Sequence, residues 1–74
     1  MENKELTVGE KRVRVNFNVS GESTIDDTKR RAAEDIDFLE SLKEGATSEK
    51  IRLIALAQTA YEEAAMWSVK AQTI

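Results

Sequence analysis

From Ile51 to Ala71 the chain reads IRLIALAQTAYEEAAMWSVKA, with no charge between Arg52 and Glu62. Leu53, Ile54, Leu56, Ala57 and Tyr61 fall on every side of a helical wheel. A helix that is apolar all round must be covered all round, and the rest of the chain is too small to do that. The pattern predicts a helix over 48–72, covered by further copies of the chain, with Met66 and Trp67 in its core. A second helical stripe runs upstream: Ile25, Ala32, Ile36, Leu39 and Leu42, widened by Phe38, predict a helix over 24–43. Ser23 or Thr24 is suited to cap it, with Asp26 and Asp27 in its first turn. Gly45 is suited to the left-handed position after that helix, and Thr47 or Ser48 to the cap of the next. So short a connection predicts an antiparallel helical hairpin.

The N-terminal part has a different period. Residues 1–10 are polar and expected to be mobile. KRVRVNFNVS, Lys11 to Ser20, alternates: Val13, Val15, Phe17 and Val19 against Arg12, Arg14, Asn16 and Asn18. A period of two predicts a half-buried strand paired with a symmetry mate, or an extended arm over 12–20 lying across the helices. A short helix remains the third option. The expected architecture is a single all-α domain over 1–74: an antiparallel two-helix hairpin with an N-terminal arm, assembled as an interlocked homo-oligomer.

Composition sharpens this. With 74 residues the chain can bury only a small core, and with no Cys and no His the disulfide and usual zinc routes to extra stability are closed. Oligomerisation is the remaining usual route. Charged residues make up 34% and the net charge is −3, which argues against a duplex nucleic-acid partner. No apolar run reaches the length of a membrane span. The expectation is a soluble intracellular protein without metal or cofactor. No catalytic constellation is present either: the serines have no recognisable base beside them, and there is no Gly-rich phosphate loop. Binding is the better class than catalysis.

Positive charge gathers in three places: Lys11, Arg12 and Arg14; Lys29, Arg30 and Arg31; Lys50 and Arg52. A hairpin turning near Gly45 sets Lys29 opposite Tyr61 and Arg52 opposite Phe38, two positive levels roughly 12 Å apart. Arg12 and Arg14 can join either. The plain reading of Lys29, Arg30 and Arg31 is a solvated face pairing with nearby Asp and Glu; that of Arg52 is a pair with Glu49. The sharper reading is two phosphate-binding levels, with Phe17 or Tyr61 offering a stacking surface.

Arg52, Ala57, Thr59, Glu62, Ala64, Met66, Trp67, Val69, Lys70 and Ala71 fall as R-x4-A-x-T-x2-E-x-A-x-M-W-x-V-K-A. This pattern resembles the small phage proteins of the anti-CBASS cyclic-oligonucleotide sponge family, whose helical hairpin is shared with the Thoeris signal sponges. Upstream, Arg12 to Ser20 looks like the family's extended segment, and Lys29, Ala33, Glu34, Ile36 and Asp37 like its first helix. Two positions depart from the pattern: Val19, where Pro is common, and Ala32, where the family has Thr. The resemblance implies a homohexamer of interlocked dimers or trimers in the cytoplasm of an infected bacterium. It would hold cyclic dinucleotides between protomers, and cyclic trinucleotides at a separate symmetric site, without cleaving them. The dinucleotide level would use Lys29, Arg30, Arg31, Phe17, Asn18, Arg14 and Tyr61, and the trinucleotide level Arg52. The alternatives are a sponge for cyclic ADP-ribose-type signals and a structural or regulatory helical oligomer without a ligand.

Overall fold

Among the described residues, every regular element in the computed structural model is helical: α1 (Val8–Arg12), α2 (Ser23–Ser41) and α3 (Ser48–Gln72). Residues 5–16, 18 and 21–74 are described. Helices α2 and α3 form the hairpin. Leu42 caps α2, the chain turns with Gly45 at φ 70, and the Thr47 hydroxyl accepts the Lys50 N–H at 3.2 Å to open α3. That φ suits glycine, which has no Cβ to clash. At the other end of α2 no side-chain cap forms: the N-cap is Glu22, and Ser23 is already helical. Asn18 braces this start instead, donating to the Glu22 carbonyl and to Asp26, each at 2.8 Å.

The inner face of α2 holds Ile25, Ala32, Ala33 and Ile36, with Ile36 fully buried. Burying one such isoleucine side chain stabilises by about 1.5–3 kcal/mol. From α3 only Ile54, Gln58 and Ala65 are buried. Leu53, Leu56, Tyr61, Met66 and Trp67 are exposed, the last two at 54% each, so Met66 and Trp67 are not core within one chain. Phe38 is also exposed and does not widen the inner stripe of α2.

The register differs from a simple fold about Gly45. Gln58 Nε2 donates to the Ile36 carbonyl at 3.1 Å and to Glu40 Oε1 at 2.9 Å, and Gln72 Nε2 donates to Thr28 Oγ1 at 2.7 Å. Side chains lean toward the N-terminus of their own helix. On α3 that lean is toward the turn and on α2 away from it, so each α2 side chain meets α3 residues further along the chain. Lys29 therefore shares a cleft with Ala65, Met66 and Val69, not with Tyr61. Arg52 does not face Phe38; it turns outward to Glu49.

Where it is described, the alternating segment forms no strand, and no strand is present among the described residues. The first reason is local. Thr7 accepts the Glu10 N–H at 3.0 Å while the Glu10 carboxylate accepts the Thr7 N–H at 2.9 Å, a reciprocal cap that starts α1. The second is packing. Gly9 lies against α2, donating its N–H to Asp37 Oδ1 at 2.7 Å, and a Cβ on it would overlap the Ala33 carbonyl. After α1 the chain turns through 13–16, with Arg14 at φ 56, and buries Val13. The segment from Val8 to Asn16 is thus helix and turn, not an extended arm. Phe17, Val19 and Ser20 lie outside the described residues.

Candidate functional site

Helix α1 and the turn after it sit beside the hairpin and leave an open cleft of about 700 Å³. Three cations line it: Arg12 from the end of α1, Arg14 from the turn and Lys29 from α2. The opposite wall comes from α3, with Thr59, Glu62, Glu63, Ala65, Met66 and Val69. Residues far apart in sequence are brought together because Gly9 lets α1 lie close to α2.

Lys29 is 6% exposed, and its ammonium donates to the Arg14 carbonyl at 3.0 Å. A charged group so deep is tolerated only with hydrogen-bond partners. That bond also fixes the left-handed turn at Arg14. Arg12 is held across the cleft: its Nε and Nη2 reach Glu62 Oε1 at 2.9 and 2.7 Å, and Nη2 donates to Thr59 Oγ1 at 3.2 Å. The cleft therefore offers oriented cations, an apolar floor from Ala65 and Val69, and two carboxylates. Such a lining suits an anion with an apolar or aromatic part.

The other expected site residues lie elsewhere. Arg30 pairs with Asp27 at 2.8 Å on the outer face of α2, Arg31 is exposed, and neither lines the cleft. Tyr61 is half-exposed and also outside the lining. Asn18 is engaged with the start of α2, accepting the Gly21 N–H at 3.0 Å as well as donating there. Phe17 is outside the described residues. Arg52 makes a two-bond pair with Glu49, at 3.0 and 2.8 Å, on the surface near the turn. That pair holds the Glu49 carboxyl below its usual range and raises the guanidinium above its own.

Sequence reasoning missed Thr59 and Glu62 as site residues and left Arg12 without a level. For Arg12 the signal was the capping box Thr7-Val8-Gly9-Glu10, which announces α1 and so places Arg12 at a helix end. Among the described residues no group of His, Cys, Asp and Glu could hold a metal ion, and no helix is long and apolar enough to cross a membrane. The family model described as "Acb2/Tad1, hairpin domain" matches residues 10–73. No curated protein and no solved structure matches the chain.

Proposed function

Because the chain belongs to the Acb2/Tad1 hairpin family, we propose that it is a phage sponge that sequesters cyclic oligonucleotide messengers and so blocks CBASS immunity. The observation that carries this reading is the convergence of Arg12, Arg14 and Lys29 on one cleft with an apolar floor. Phosphates of a cyclic dinucleotide would meet the cations through charge-assisted hydrogen bonds, the strong kind, and its bases would lie on the apolar wall. The protein binds the messenger and does not cleave it, in the cytoplasm of the infected host. The exposed apolar side chains of α3, Leu53, Leu56, Met66 and Trp67, support assembly into a homo-oligomer, read here as a hexamer. Arg52 would serve a second, trinucleotide level where symmetry-related copies meet.

A thermal-shift screen against cyclic dinucleotides, cyclic trinucleotides and cyclic ADP-ribose isomers tests the reading. A ligand bound only by the folded state raises stability by mass action, so cyclic GMP–AMP should raise the melting temperature and be recovered intact. A shift with cyclic ADP-ribose isomers alone would favour the second reading, a Thoeris-type sponge, which the joint family description also supports. No shift with any of them would leave the ligand-free oligomer.

A further inference from the structure

We propose that Arg12 is a phosphate-binding side chain of the cleft, beside Lys29, and that Glu62 is its positioning residue; this rests on the cleft being the cyclic-nucleotide site. A guanidinium is planar and carries five N–H donors in a fixed fork. In this chain Glu62 Oε1 takes both Nε and Nη2, and Thr59 Oγ1 takes Nη2 again. With that edge held, the plane of the group is set. The Nη1 amino group, with two donors, makes no hydrogen bond among the described residues, and the Arg12 side chain is 28% exposed at the cleft. The donors a phosphate needs are therefore aimed in advance.

A carboxylate beside an anion site needs a reason. By charge alone Glu62 repels a phosphate, since like charges at close range oppose each other. Its geometry shows the compensating role. Arg12 reaches α3 from the last residue of α1, and without Glu62 its long side chain would sample many rotamers and lose that freedom on binding. Orienting it beforehand removes much of that cost. The two effects have opposite signs, so a substitution can tell them apart.

Calorimetric titration with cyclic GMP–AMP provides the test. Glu62→Gln keeps the side-chain shape and removes the charge. If Glu62 positions Arg12, the variant binds roughly 3- to 10-fold more weakly. In an Arg12→Ala background, which itself weakens binding at least ten-fold, the same substitution gives no further loss, because nothing remains to position. Thr59→Val, which removes only the lateral hydroxyl, should weaken binding less than Glu62→Gln and leave the helical content unchanged, so the proposal stays testable if a charge variant folds poorly. Tighter or unchanged binding by Glu62→Gln overturns the positioning role. Equal loss in both backgrounds would mean that Glu62 touches the ligand itself, and overturns it too. If the parent protein binds and Arg12→Ala binds equally well, this inference fails while the function stands. If the parent binds no cyclic dinucleotide, both fail.

Discussion

Lys29 and Arg52 are both cations, each one or two turns into its helix, yet their surroundings have little in common. Lys29 is buried, and its bond to the Arg14 carbonyl ties α2 to the turn after α1, beside an arginine that ties α1 to α3. Arg52 is 61% exposed and tied only to Glu49, three residues back on its own helix. The first belongs to a network through all three helices; the second is a local pair that a neighbouring copy could rearrange at little cost. A cation shared among elements is placed by the fold of one chain. A cation in a local pair becomes a site only if assembly brings others to it.

The sharpest way to break this comparison is Gly9→Ala. The new Cβ would overlap the Ala33 carbonyl, and α1 would have to lift off α2. Overpacking of this kind costs about 1–3 kcal/mol. Amide exchange at Val13, whose N–H donates to the Gly9 carbonyl at 3.1 Å, should accelerate strongly, and cyclic dinucleotide binding should be lost. Trinucleotide binding at the Arg52 level should survive. Loss of both ligands from an assembled protein would mean that the two regions are one site.

Next in size is Lys29→Ala. Losing its charged hydrogen bonds to a phosphate should weaken cyclic dinucleotide binding by about 1.5–3 kcal/mol, roughly ten-fold or more. Calorimetry showing unchanged affinity would reduce Lys29 to a brace for the Arg14 turn. Arg52→Ala should leave the melting temperature of the unliganded protein nearly unchanged, since exposed pairs contribute little, while abolishing cyclic trinucleotide binding. Persistent trinucleotide binding would remove the second level.

The smallest effect is on pH dependence. The Gln58 amide, with Lys43 beside it, holds the Glu40 carboxyl below its usual range. A lowered carboxylate pKa adds stability that is present above the ordinary, unfolded value and is lost as pH falls through the folded one. Glu40→Gln should therefore flatten the acid side of the stability profile and leave it nearly unaltered at neutral pH. An unchanged acid limb in denaturant titrations would show that Gln58 pins the hairpin through the Ile36 carbonyl alone.

The hairpin was legible in the sequence because its signals are local: a helical stripe on α2, Gly45 for the left-handed turn, Thr47 for the cap. The cleft was less so. Lys29 was singled out, but its depth follows from a glycine twenty positions away in α1 only through packing, as Gly9 docks on Ala33. The alternation from Lys11 to Ser20 misled, because Val13 and Val15 are inward-facing in a turn as well as in a strand. Period two describes which side chains are apolar; it does not say that the backbone between them is extended. The all-round apolar character of α3 was visible, whereas a single chain shows only which part of it is covered from within, Ile54, Gln58 and Ala65.

Helix α1 has five residues, and the second of them is glycine. That is well below the roughly 12–15 residues at which a helix begins to hold itself in water, and glycine lowers its propensity further. Its order is lent by Thr7, Asp37 and Glu62. The consequence is one of timing. Such an element can melt and re-form while the hairpin stays folded, because local opening costs less than global unfolding. The rim of the cleft thus keeps a faster clock than its floor: the single short helix that carries Arg12 can open while α2 and α3 stay paired.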